Sequence, residues 1–305
     1  MRKAILGLVA TLLTTPAAAH ADCTYRSVPD LQYGTGKLEG GKSMPLYLDA
    51  YIPETCNGML VREVPPVGVI HGGAFRVGSR KDPAITKLAI ELAKQGFATF
   101  SIEYRMEGDK PVLEDSNARE FIRKLYNNVT PKEYEWITKH ASINGPQKPL
   151  LAMVATEDAL KAKEWVNAHQ ERFNIQTRNW GLIGGSAGAA TALQLAYTGD
   201  DIFKKPQDTN AVVDLWGNMY PKTYIDNNEA NLLIVHGTKD PVVEYQYSTE
   251  LLEAAKKAGL EAHRITVEGA GHGFGSIDIF TEKVAGTNAT IFEAITAFFD
   301  QQLRQ

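Results

Sequence analysis

Two rhythms of apolar and polar positions run along the chain. Residues 44–52 alternate with period two, which predicts a half-buried strand, and Gly40-Gly41 ahead of them predicts a hairpin turn. Short apolar runs at 67–70, 98–104, 179–183, 211–216, 231–235 and 262–267 predict further strands. Between them, apolar residues recur at helical spacing over 83–95, 150–173, 186–197, 245–258 and 289–303, with Gly96 placed to cap the first of these helices. Strands alternating with helices imply right-handed crossovers. The fold class is therefore α/β: a mostly parallel central sheet, helices on both faces, and an antiparallel hairpin at its N-terminal edge. One segment, 107–149, breaks the rhythm. It carries helical stretches near 116–126 and 131–140, with prolines at both borders, and is too long for an ordinary βα loop, so it reads as a helical lid or cap insertion. The plainer alternative is a surface insertion without functional weight.

Composition narrows this picture. The chain has 305 residues, of which 44% are apolar and 22% charged, enough to bury the core of one α/β domain and unlike a disordered composition. A net charge of −4 gives no basic footprint for nucleic acid. Two cysteines exclude both a disulfide-dense scaffold and a four-cysteine zinc site.

The first residues, Met1-Arg2-Lys3, precede an apolar run at 4–13 and then Ala19-His20-Ala21, the pattern of a secretory signal peptide spanning 1–21 with cleavage near Ala21. The run falls short of the about 20 apolar residues that span a bilayer, so no stable membrane anchor is expected. Asp22 before Cys23 argues against a lipoprotein site. Cleavage removes Arg2 and Lys3 and no acid, moving the net charge from −4 to −6. The expected product is a secreted or periplasmic single domain, 22–305, in which Cys23 and Cys56 form one disulfide or remain two buried thiols.

Four motifs follow strands. Gly184-Gly185-Ser186-Ala187-Gly188 sets a serine on a strand-to-helix turn, where small neighbours allow a strained backbone to pack closely. His71-Gly72-Gly73-Ala74-Phe75 follows strand 67–70. Its glycines let backbone N–H groups converge on one point, so Gly73 and Ala74, with Ala187 after the serine, are the candidate oxyanion donors. His71 reads as structural, because a better base exists. The run from His236 to Val243 offers Asp240, and Gly269-Ala270-Gly271-His272 offers His272 on a glycine-rich loop. The order Ser186, Asp240, His272 separates this arrangement from the two other familiar serine-triad orders. Phe75, Trp216 and Met219 are candidates for the substrate pocket. Glu103 is expected to anchor Arg105 or a nearby loop, and Glu157 and Asp158 read as surface or capping charges. His140, His169 and His263 are scattered along the sequence, and no metal site or cofactor is expected.

From Leu46 onward the chain resembles the α/β-hydrolase superfamily. Within it, the HGGAF and GGSAG motifs resemble those of secreted carboxylesterases and hormone-sensitive-lipase-like esterases, and Tyr104-Arg105 is similar to a Tyr-Arg pair found there. Ala74 stands where the lipase-like group usually has a third glycine. A non-glycine there also resembles the feruloyl/acetyl-xylan esterase-like group and the arylformamidases. The resemblance implies a serine hydrolase of carboxylic esters working through an acyl-enzyme, on a small-molecule or polymer-linked ester. An amide hydrolase, arylformamidase-like or peptidase-like, is the alternative. A non-catalytic binding protein on the same fold is disfavoured because all three triad candidates are present.

Overall fold

The computed structural model describes residues 23–128, 148–205 and 208–304. The expected leader 1–21 and the helix expected near 131–140 lie outside these residues. The strands are β1 (Cys23–Lys37), β2 (Ser43–Cys56), β3 (Met59–Leu60), β4 (Pro66–Ile70), β5 (Ala98–Ile102), β6 (Trp180–Gly185), β7 (Thr209–Leu215), β8 (Asn231–Gly237) and β9 (Ala262–Val267). The helices are α1 (Pro83–Lys94), α2 (Ser116–Asn128), α3 (Lys148–Ala168), α4 (Gln170–Phe173), α5 (Ala187–Thr198), α6 (Tyr245–Lys257) and α7 (Ile291–Leu303). The sheet order is β1-β2-β5-β4-β6-β7-β8-β9, with β3 paired to β2. β1 to β2 and β2 to β5 run antiparallel, and every later pair runs parallel.

Side chains alternate across the sheet because the strand period is two. Val67, Val69, Val213 and Val235 face α1 and α7, where Leu88, Leu92, Phe298 and Phe299 pack. Leu182, Val212 and Ile234 point to the other face, with Val166, Leu193 and Leu251 of α3, α5 and α6. Both faces are covered, so the central strands read as nearly continuous apolar runs. No helix among the described residues is long and apolar enough to cross a membrane.

The fold class is the expected one, with three differences in detail. First, β1 is a full strand that the alternation does not reveal. Asp30 sits at φ 56° and the register slips between Val28 and Leu31, so the bulge breaks the period-two pattern. Second, the helix expected over 150–173 is broken at His169, whose Nδ1–H donates to the Trp165 carbonyl at 2.7 Å while its backbone leaves the helical region.

The third difference concerns charge. Glu157 and Asp158 are buried, not surface groups, because they receive Arg105, which is 0% exposed. Its Nη2 donates to Glu157 and Asp158, both at 2.7 Å, and Nε to Asp158 at 2.9 Å. Nη1 donates to the carbonyls of Lys37 and Val112, both at 2.8 Å. This cluster ties β1, the segment after β5 and α3 together.

Cys23 and Cys56 face each other across β1 and β2 and are bonded. The bridge lies beyond the Tyr51–Thr99 pairing, at the amino ends of the parallel strands. In the insertion, the Phe121 ring of α2 meets Tyr224 edge-on at 5.6 Å. This sets α2 against the loop after β7, at the carboxyl ends of the strands.

Candidate active site

Ser186 stands between β6 and α5 at φ 54°, ψ −116°, a left-handed conformation that costs a non-glycine residue about 1–3 kcal/mol. The turn is held from below: Ser186 N–H donates to the Leu215 carbonyl at 2.9 Å. It is held from the side by close packing, since a methyl group on Gly188 would come 2.1 Å from the Ile70 carbonyl oxygen. Only glycine lets α5 approach β4 so closely.

The structure brings the three candidates from separate loops together. His272, in a 3₁₀ turn (His272–Phe274) after β9, has Nε2 at 2.9 Å from Ser186 Oγ and Nδ1 at 2.8 Å from Asp240 Oδ2. A proton on Nδ1 satisfies the carboxylate and leaves Nε2 to accept the serine hydroxyl. Asp240 Oδ1 accepts the N–H groups of Val242 at 2.8 Å and Val243 at 2.9 Å. Burial by itself would raise this carboxyl. The hydrogen bonds from His236, His272, Val243 and Val242 hold it well below the usual carboxylate range, so it is an ion.

Gly73, Ala74 and Phe75 follow one another at φ 105°, 57° and 62°. Gly73 tolerates no other residue, because its Cβ would lie 1.9 Å from the Val77 carbonyl oxygen. A methyl on Gly72 would lie 3.5 Å from Ser186 Cβ, which sets this loop against the serine turn. The N–H groups of Gly73, Ala74 and Ala187 find no acceptor among the described residues.

The remaining candidates divide. His71 is wholly buried, stacked on Tyr104 at 4.2 Å, with Nδ1–H donating to the Gly72 carbonyl at 2.8 Å and Nε2 at 3.2 Å from Glu103. Phe75 is buried and meets Tyr104 edge-on at 6.1 Å; Met219 is buried in the core on the α5 face. Trp216 is half-buried at φ 48°. Its ring lies over Gly185 and meets Phe274 edge-on at 4.4 Å. Glu103 anchors the nearby loop, one of its two expected partners, and not Arg105. It binds Arg80 and Ser79, because β5 ends there and its side chain turns toward the 71–80 loop.

Sequence reasoning passed over His236, Asp214 and Phe274. His236 Nε2 donates to the Val243 carbonyl at 2.9 Å and stands 3.4 Å from Asp240 Oδ2. Its signal was the period of two, which puts it on one face of β8 with Leu232 and Ile234.

The BD-FAE family model matches residues 48–136, and the model of the prolyl oligopeptidase family matches residues 214–305. A truncated carbohydrate esterase from gut microbiota is 20% identical, with TM-score 0.60 over 95% of this chain and 100% of its own. Thermogutta terrifontis esterase 2, in a form phosphorylated by paraoxon, is 17% identical, with TM-score 0.57 over 94% and 96%. Dienelactone hydrolase from Anabaena variabilis is 18% identical, with TM-score 0.53 over 93% and 100%. Likeness at these identities is likeness of fold. With the strand order, it shows that the chain has the α/β-hydrolase fold.

Proposed function

We propose that this chain is a secreted serine hydrolase that cleaves a carboxylic ester through a covalent acyl-enzyme. The hydrogen-bonded chain Ser186–His272–Asp240 carries this reading. A serine hydroxyl is a weak nucleophile at its own pKa, and His272 takes its proton as Oγ attacks the ester carbonyl. Asp240 keeps the imidazole in the required tautomer and balances the imidazolium. The carbonyl oxygen becomes an oxyanion and accepts the N–H groups of Gly73, Ala74 and Ala187. Losing one such donor typically costs about 3–4 kcal/mol. His272 then protonates the departing alkoxide, and water attacking through the same base releases the acid.

The likeness to a carbohydrate esterase and the BD-FAE match support an acyl ester carried on a sugar or polymer as the substrate class. The Cys23–Cys56 bond and the leader-like 1–21 segment support an oxidising, exported location. The packing of α2 against Tyr224 supports a lid role for 107–149. A second reading, amide hydrolysis, draws on the match of residues 214–305, with Asp240 and His272, to the prolyl oligopeptidase family.

The test is hydrolysis of a short-chain nitrophenyl ester by the wild type and Ser186→Ala, with fluorophosphonate labelling. Activity and label at Ser186 in the wild type alone are expected. Equal rates in the two proteins overturn the reading. Comparing kcat/KM on matched ester and amide substrates separates the two chemistries.

A further inference from the structure

Three consecutive left-handed residues make the 71–80 loop a strained segment, and such strain persists only where the surroundings over-determine it. The Gly73 carbonyl accepts Arg76 N–H at 3.0 Å and Val77 N–H at 3.1 Å. The peptide is planar and trans, so fixing that carbonyl aims the Ala74 N–H the opposite way. Similarly, the Gly72 carbonyl accepts His71 Nδ1–H at 2.8 Å and Tyr104 O–H at 3.3 Å, which aims the Gly73 N–H. The direction of both candidate oxyanion donors thus depends on where the two ends of the loop are held.

Both ends meet at one carboxylate. Glu103 Oε1 lies 3.2 Å from His71 Nε2 at the start of the loop, an ion-pair contact that holds when the ring, whose Nδ1–H faces the Gly72 carbonyl, also carries a proton on Nε2. Its Oε2 accepts Ser79 Oγ–H at 3.2 Å, Arg80 N–H at 3.3 Å and Arg80 Nη1–H at 3.1 Å at the end. Glu103 is itself fixed: its N–H donates to the Tyr47 carbonyl at 3.0 Å, and its carbonyl accepts Tyr33 O–H at 2.6 Å. Arg80 is further held by Asp49 at 3.1 Å and by Asp30. We propose that Glu103 is a positioning residue that clasps both ends of the oxyanion loop and thereby sets the direction of the Gly73 and Ala74 N–H groups, an inference that rests on the hydrolase reading above. Burial by itself would raise the Glu103 carboxyl. His71 and Arg80 hold it below the usual carboxylate range, in keeping with an ion that grips cationic and N–H partners.

The clasp acts on the tetrahedral state and not on ground-state binding, so its loss has a distinct signature. Glu103→Gln is expected to lower kcat on a nitrophenyl ester by about tenfold to a hundredfold, the scale of an ångström-size misplacement, with KM within about threefold. Affinity for a trifluoromethyl ketone, which forms an oxyanion on Ser186, should fall by a matching factor. Thermal unfolding monitors the folded fraction, and Ser79→Ala, which removes one contact, should give smaller parallel losses. Should Glu103→Gln yield no folded protein, Ser79→Ala decides between the same outcomes. An active wild type labelled at Ser186, alongside folded variants with unchanged kcat and ketone affinity, overturns the clasp alone. A loss of rate matched by the unfolded fraction also overturns it. A wild type that is inert and unlabelled overturns the hydrolase reading, and the clasp with it.

Discussion

Asp240 is approached by His236 as well as by His272: Nε2 of His236 stands 3.4 Å from the same Oδ2 that receives His272 Nδ1 at 2.8 Å. The main hydrogen bond of His236 goes to the Val243 carbonyl, and Val243 returns its own N–H to Asp240. The loop after β8 is therefore closed on itself around the carboxylate. His236→Leu preserves apolar packing but opens that loop. A roughly tenfold fall in kcat/KM is expected, equivalent to about 1.4 kcal/mol, with the far-ultraviolet spectrum unchanged. Steady-state kinetics on one ester would check it.

Asp214, wholly buried at the end of β7, accepts Gly217 N–H at 2.6 Å on Oδ1, while Oδ2 finds no partner among the described residues. Burial pushes its pKa up to about 6, against the opposing pull of His236, the Gly217 N–H and Lys222. A carboxyl raised above its unfolded value of about 4 holds its proton more tightly when folded. The stability it lends is complete below about pH 4 and is lost as pH rises through about 6. Asp214→Asn, which mimics the neutral form, should exceed the wild type by about 2–3 kcal/mol at pH 8 and match it near pH 4. Urea titrations at the two pH values would show this.

Arg105 presents the opposite case, a buried cation whose partners depend on it. Arg105→Met leaves Glu157 and Asp158 buried with only the more distant Lys161 ammonium, at 3.9 and 4.0 Å. A loss of about 3–5 kcal/mol is expected in chemical denaturation. Arg105→Lys should recover little of it, because one ammonium cannot replace the planar fork.

The Cys23–Cys56 bond closes a 33-residue separation at the end of the sheet away from Ser186. In the chain-entropy account such a loop contributes about 3–4 kcal/mol. Cys23→Ser with Cys56→Ser should lower the midpoint of thermal unfolding while leaving kcat of the folded enzyme within about twofold.

Trp216 joins the serine turn to the base loop, lying over Gly185 and against Phe274, two residues beyond His272. Trp216→Ala is expected to lower kcat/KM about tenfold and to broaden the acyl-length profile. A panel of nitrophenyl esters from acetate upward would measure both.

What the sequence revealed follows from how locally each feature is encoded. Strand β9 coincides with the expected 262–267 because its apolar run is uninterrupted and bounded by turn residues. Ser186, Asp240 and His272 are legible as candidates because each lies on the segment that leaves a strand, and parallel strands deliver their following loops to one end of the sheet. β1 was hidden because the bulge at Asp30 scrambles its alternation. Glu157 and Asp158 were misread because a charged pair on a helix looks the same in sequence whether it meets water or Arg105, 52 and 53 residues away. Glu103 stands beside Arg105 in sequence but anchors the nearby loop, the other of its two expected partners, because its side chain turns toward the segment before α1.

The contact at Gly188 has a wider consequence. With the Ile70 carbonyl seated where a methyl group would be, the helix that follows Ser186 and the strand that leads to the 71–80 loop have no slack between them. On the proposed reading, a residue change at that seam disturbs attack and charge stabilisation together. On that reading, adaptation to a new ester is steered away from the reaction centre. It is left to the parts outside the seam, the loop around Trp216 and Tyr224 and the helix α2 that rests on it, where diversification can proceed without disturbing the chemistry.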